Sequence, residues 1–134
     1  MLSGGSPPPP RRPASRLILG AAGEQAAAEW YETAGYQVVD RNWRCRDGEL
    51  DLVAVKGGTA VFCEVKTRLG TGYGAPFEAV TATKQRRLRR LATLWLAARR
   101  AAGGAPFAEL RFDVASVTPG LSGVLTVDVI EAAF

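Results

Sequence analysis

Histidine is missing from this chain of 134 residues, and cysteine occurs only twice, as Cys45 and Cys63. The first absence excludes imidazole acid–base catalysis, most zinc sites and Cys-His nucleophilic dyads. The two cysteines do not form a C-x-x-C pair, and so few of them do not suggest a disulfide scaffold. Any bound metal must then be held by oxygen ligands, which points to magnesium or manganese. No apolar run approaches the roughly 20 residues of a membrane span. The opening Met1-Leu2-Ser3-Gly4-Gly5-Ser6, followed by prolines and arginines, lacks the apolar core of a secretory signal. The expectation is a soluble, cytoplasmic protein with no membrane partner. Lysine is scarce as well: Lys56, Lys66 and Lys84 stand against fourteen arginines. Lysine is a compact charge with a shiftable pKa that arginine cannot replace everywhere, so the three that remain are of interest.

What is present suits one compact domain. Hydrophobic residues make up 47% of the chain, enough for a core in a single unit of this length. The net charge of +4 is compatible with a polyanionic partner. Five of the eight prolines fall in residues 1–15, among Gly, Ser and Arg, which predicts a disordered, basic, polyproline-leaning tail. That tail is either an extension without function or a weak electrostatic arm. The folded domain is expected over residues 16–134.

Residues 17–34 read as an alanine-rich helix stopped by Gly35. Residues 36–45, 49–55 and 59–67 read as three strands, joined by turns at Arg46-Asp47-Gly48 and Lys56-Gly57-Gly58. The glycine-rich residues 69–76 read as a loop. Thr81 or Thr83 caps a long helix that runs to about Ala102 and ends at Gly103-Gly104. Residues 110–117 and 124–130 complete an αβββαββ order: an α/β fold with a mixed sheet flanked by helices.

Two apolar, β-favouring segments carry acids where a purely structural strand would carry Val, Ile or Leu: Gly48-Glu49-Leu50-Asp51-Leu52-Val53-Ala54 and Phe62-Cys63-Glu64-Val65-Lys66-Thr67-Arg68. A carboxylate in such a strand is costly unless a cation, a metal or hydrogen-bond donors compensate it. Asp51, Glu64 and Lys66 form a D…E-x-K arrangement that suits a divalent metal beside a scissile phosphate. Strict alternation puts Phe62, Glu64 and Lys66 on one face and Val61, Cys63 and Val65 on the other. It also puts Asp51 with Val53 and Val55, opposite Leu50, Leu52 and Ala54. If strands two and three are hairpin partners, Asp51 and Glu64 converge on one metal, with Lys66 positioning or deprotonating an attacking water. The alternative is a cross-strand salt bridge of Glu64 or Asp51 with Lys66. On the first helix Glu24 falls in a stripe with Leu17, Ala21, Ala28 and Tyr31, opposite Gln25, Glu29 and Glu32. It either completes the metal shell or pairs with an arginine. The second helix opens with Lys84, Arg86, Arg87, Arg89 and Arg90 against an apolar stripe of Leu88, Leu91, Trp95 and Ala98. Cations there oppose the helix dipole and repel one another, so phosphate contact competes with a plain solvated face as the explanation. Asp113 is a further strand acid, for which pairing with an arginine is expected.

Taken together, Gly23-Glu24, Gly35-Tyr36, Arg41-Asn42, Gly48-Glu49-Leu50-Asp51-Leu52-Val53, Phe62-Cys63-Glu64-Val65-Lys66-Thr67-Arg68, Ala79-Val80…Lys84, Arg111-Phe112-Asp113-Val114 and the closing Ala133-Phe134 resemble the YraN family. The resemblance covers about residue 16 to the end. It implies a restriction-endonuclease-like PD-(D/E)XK fold with an αβββαβ core, similar to archaeal Holliday junction resolvases. It further implies a Mg²⁺- or Mn²⁺-dependent endonuclease hydrolysing DNA phosphodiester bonds, with branched or structured DNA as a candidate substrate and a homodimer as the form expected by analogy. The site carried over is Glu24, Asp51, Glu64 and Lys66, with Asp51 and Glu64 as metal ligands. Lys84 sits where related nucleases place a helical Gln or Lys, and with Arg86, Arg87 and Arg90 makes the nucleic-acid-binding set. The proline of the eponymous motif is absent, because Leu50 precedes Asp51. The alternative function is a non-catalytic nucleic-acid-binding module on the same fold.

Overall fold

A computed structural model describes residues 14–68 and 80–134. The expected proline-rich tail, except its last two residues, and the glycine-rich loop of residues 69–76 lie outside the described residues. Helix α1 spans Ala14–Thr33, and strands β1, β2 and β3 span Gln37–Cys45, Gly48–Lys56 and Thr59–Thr67. Helix α2 spans Ala82–Ala101, and strands β4 and β5 span Glu109–Pro119 and Leu125–Ile130. The predicted mixed α/β order is therefore the one observed, with α1 starting three residues earlier than periodicity suggests.

Local chemistry explains the boundaries. Gly35 stops α1 at φ 93°, a left-handed conformation that glycine adopts without strain. The Lys56 ammonium then donates to the Ala34 carbonyl at 2.9 Å, satisfying an orphan acceptor at that helix end. Thr81 is the N-cap of α2, its hydroxyl accepting from the Lys84 amide at 3.1 Å. The turns at Arg46-Asp47 and Gly57-Gly58 close two-residue hairpins, with Cys45 opposite Gly48 and Lys56 opposite Thr59.

The five strands form one sheet in the order β1-β2-β3-β4-β5. Neighbours are antiparallel except β3 and β4, which pair in parallel through the crossover that contains α2. Each helix covers one face. Leu50, Val53, Phe62, Phe112 and Val114 pack with Leu88, Leu91 and Trp95 of α2. Leu52, Ala54, Val61, Cys63 and Ala115 pack with Ala27, Ala28 and Tyr31 of α1. Gly23 is buried, and a Cβ there would meet Thr67 Oγ1 at 2.1 Å, so only glycine lets α1 lie this close to β3.

Three details of the sequence reading are corrected. Leu50 packs in the same cluster as Val53, three residues away, so alternation breaks in the stretch that carries Asp51. On α2 the fourth buried position is Ala92 rather than Ala98, which is exposed. On α1 Ala21 is exposed, and among the described side chains the buried positions are Gly23, Ala27, Ala28 and Tyr31; the Leu17 side chain lies outside them. A helix resting on a twisted sheet buries a narrower face than an ideal apolar stripe suggests, because the strands beneath it turn away.

Candidate functional site

The register of β2 with β3 runs from Lys56–Thr59 to Leu52–Cys63 and no further, whereas β3 continues beside β4 to Thr67. Asp51 is the first residue past that opening. Its Oδ2 accepts the Val65 backbone amide at 2.9 Å, so a side chain occupies the place of a ladder carbonyl. Burial raises the Asp51 carboxyl strongly, and the Val65 hydrogen bond lowers it in part. The nearby carboxylates of Glu64, Glu24 and Glu49 raise it again, leaving the pKa at about 7.

These acids come from different elements. Glu24 lies on α1, Glu49 and Asp51 on β2, and Glu64 on β3. The structure thus brings the predicted Glu24, Asp51 and Glu64 into one electrostatic cluster and adds Glu49, which the sequence reading passed over. The available signal was its place two residues before Asp51 in the same apolar strand. Among the described residues no three such side chains converge closely enough to form a ready-made metal cage.

Lysines and asparagine border the cluster. The Lys84 ammonium forms an ion pair with Glu64 Oε2, and the Glu64 side chain is only 10% exposed. Lys66, half-buried and two residues along from Glu64, has no hydrogen bond or ion pair among the described residues. The salt bridge considered as an alternative, Glu64 or Asp51 with Lys66, is therefore not the one formed. Glu24 pairs with no arginine among the described residues; its neighbour is Asn42. The Asn42 amide lies between two acids. With its NH₂ turned towards both it donates to Glu49 Oε2 at 3.0 Å and Glu24 Oε2 at 3.3 Å.

The arginines divide into two sets. Arg86, Arg87 and Arg90 are exposed on the first half of α2. Arg86 reaches Thr83 Oγ1 at 3.3 Å, Arg87 passes beside Gly48, and Arg90 approaches Asp47 at 3.5 Å in the β1–β2 turn. Arg89 instead lies over the Phe112 and Phe134 rings at 5.0 and 5.4 Å, which gives it a packing role. Asp113, away from the cluster, takes two hydrogen bonds from Arg111, one from the Tyr31 hydroxyl at 2.6 Å and one from the Ala132 amide at 3.0 Å. The expected arginine partner is present, and the buried carboxylate is fully satisfied.

Chemically, the cluster is a set of oxygen donors held partly out of water. Magnesium is commonly bound through one or two carboxylates plus waters and substrate phosphates. Asp51 fits that requirement because a cation would balance the like-charged neighbours that crowd its carboxylate, and Glu64 already takes a cation, the Lys84 ammonium, at the same place.

Comparison with known proteins gives the lineage. A family model described as "Uncharacterised protein family UPF0102" matches residues 23–117, which include every acid of the cluster. A UPF0102 protein of Symbiobacterium thermophilum is 54% identical over 116 residues, 87% of this chain and 95% of that protein. One of Nocardia farcinica is 52% identical over 118 residues, 87% of this chain and 88% of that protein. A third, of Acidothermus cellulolyticus, is 43% identical over 126 residues, 90% of this chain and 96% of its own length. With its whole site inside the matched region, the chain belongs to the UPF0102, or YraN, family.

Proposed function

We propose that this protein is a divalent-metal-dependent endonuclease that hydrolyses DNA phosphodiester bonds in the cytoplasm, with branched or structured DNA as its preferred substrate. The observation that carries the reading is Asp51. It is an acid at the point where β2 leaves β3, raised to about 7 by burial and three neighbouring carboxylates. Perturbed acids of this kind concentrate at functional sites, because a fold selected for stability alone would replace them with apolar residues.

Asp51 and Glu64 would hold Mg²⁺ or Mn²⁺. A cation there supplies Lewis-acid polarisation of a phosphoryl oxygen and neutralises its developing charge. The Val65 amide fixes the Asp51 carboxylate, leaving its other oxygen available. Lys66, with no partner among the described residues, is the group free to orient an attacking water and to offset charge on the phosphate. Glu24 supports the cluster from α1. Arg86, Arg87 and Arg90, exposed on α2 beside the β1–β2 turn, suit contacts to the phosphate backbone. A homodimer would give the symmetry that paired cuts across a junction require.

Lys84 favours a second reading, a non-catalytic nucleic-acid-binding module, because its ammonium gives Glu64 a counter-charge from within the protein. A cleavage panel of linear, nicked, flap and four-way DNA with Mn²⁺ separates the two. The nuclease reading expects cutting by the wild type that Asp51→Ala, Glu64→Ala and Lys66→Ala each abolish. Cutting that persists in Asp51→Ala overturns it, and salt-sensitive binding without cutting in any protein establishes the module.

A further inference from the structure

Asn42 is one of two described non-glycine residues with positive φ, at 49°. That conformation is uncommon for any residue with a side chain and is met most cheaply by glycine. Asparagine tolerates it but gains nothing from it unless the amide is used. Here the amide is used. With its NH₂ turned towards both acids it spans Glu24 on α1 and Glu49 on β2, at 3.3 and 3.0 Å, from an exposed position on β1. Arg41 beside it donates to Gln25 Oε1 at 2.6 Å, which ties the same point of β1 to the same turn of α1. Arg44 approaches the same Glu49 Oε2 at 3.4 Å.

We infer that Asn42 is a positioning residue: it clamps Glu24 to Glu49, and its left-handed backbone directs the amide between them. The choice of amide is chemically specific. A lysine or arginine would neutralise the two acids, an aspartate would add another like charge, and a hydroxyl has a single proton to donate. A primary amide has two N–H groups and no charge. It can therefore bridge both carboxylates without adding a counter-charge of its own beside Asp51, where both acids act. The functional half of this inference rests on the metal-dependent reading above; the clamp itself does not.

Three variants separate backbone from side chain. Asn42→Gly keeps the conformation and removes the amide, Asn42→Ala removes the amide and strains the backbone, and Asn42→Asp keeps the shape and adds charge. Urea unfolding of Asn42→Gly, Glu49→Ala and the double variant tests the clamp directly. The expected result is non-additivity of roughly threefold or more in the unfolding equilibrium constant. Additive effects overturn the clamp, whatever the activity. In the 134-residue chain, Mn²⁺ titration of cleavage tests positioning: Asn42→Gly should raise half-saturating Mn²⁺ by ~10–100-fold, as loss of outer support does in metal sites. An unchanged Mn²⁺ requirement overturns the positioning role. If the wild type neither binds nor needs Mn²⁺, the nuclease reading fails while the unfolding cycle still decides the clamp.

Discussion

Lys84, in the first turn of α2, forms an ion pair with Glu64 on β3, whereas Lys66, two residues from Glu64 on that same strand, does not. Side chains two apart on one strand face lie roughly 6.5–7 Å apart along the chain, so Lys66 meets Glu64 only by bending back. Lys84 comes from the helix packed over that face. The two lysines are therefore predicted to behave differently.

Lys84→Ala should cost about 1 kcal/mol or less in stability, since the lysine is 42% exposed and such pairs are screened. Lys66→Ala should leave urea unfolding unchanged while reducing DNA cleavage by ~10²–10³, the typical loss for a group that stabilises transition-state charge. Equal loss of activity in both, tracking equal loss of stability, would remove the distinction.

Asp51 predicts a pH dependence with a definite sign. Its folded pKa of about 7 exceeds the ordinary carboxyl value of 3.8. Between those values the unfolded chain has released a proton that the folded chain retains. Its contribution is therefore favourable at low pH, declines as pH rises through this window, and levels off above about 7. Asp51→Asn should accordingly be more stable than the wild type at pH 8 in metal-free buffer, with the difference shrinking towards pH 5. Added Mg²⁺ should raise the Tm of the wild type and not of Asp51→Asn. Thermal unfolding at the two pH values, with and without the ion, checks both points.

Asp113 predicts a large structural effect without a direct chemical one. Its side chain is completely buried and ion-paired to Arg111, which is held above its ordinary pKa by that carboxylate. Asp113→Ala should destabilise by ~3–5 kcal/mol, because it leaves the guanidinium and the Tyr31 hydroxyl without their partner. Tyr31→Phe should cost ~1.5–3 kcal/mol through loss of one charge-assisted hydrogen bond. Urea denaturation measures both.

Gly23→Ala should lower stability by ~1–3 kcal/mol, as added volume does in a packed contact. The new methyl meets Thr67 Oγ1, so the double variant with Thr67→Ala should recover part of the loss. Because Glu24 is the next residue, the single variant should also weaken Mn²⁺-dependent cleavage; a variant of full activity would show that α1 does not set the site.

Exposed arginines predict a salt effect. Each of Arg86→Ala, Arg87→Ala and Arg90→Ala should weaken DNA binding roughly equally across sequences and reduce the slope of log K against log[salt] by about 1. Arg89→Ala should destabilise the fold instead, since Arg89 lies against Phe112 and Phe134. Fluorescence anisotropy at several salt concentrations distinguishes the two kinds of arginine.

The order of helices and strands was legible because each element carries its own local punctuation. Gly35, Asp47-Gly48, Gly57-Gly58 and Thr81 each mark a boundary that backbone sterics or capping enforces. Asp51 and Glu64 were legible for a related reason: ionisable groups stand out in apolar strands. Glu49 and Asn42 were harder to find. A glutamate near a strand start and an asparagine in a polar segment look ordinary until α1, β1 and β2 are placed side by side. The pairing of Lys84 rather than Lys66 with Glu64 was equally hidden, because it depends on where α2 crosses the sheet.

The sequence alone therefore determined the elements, the mixed α/β class, the lack of imidazole and three of the acids, since propensity, periodicity and composition act locally. Tertiary structure decided which polar groups meet: Lys84 with Glu64, Asn42 with Glu24 and Glu49, Arg111 and Tyr31 with Asp113. It also decided that Asp51 sits at an opening of the sheet. Those outcomes depend on packing between segments far apart in the chain, such as the close approach of α1 to Thr67 that Gly23 permits, and no local pattern encodes them.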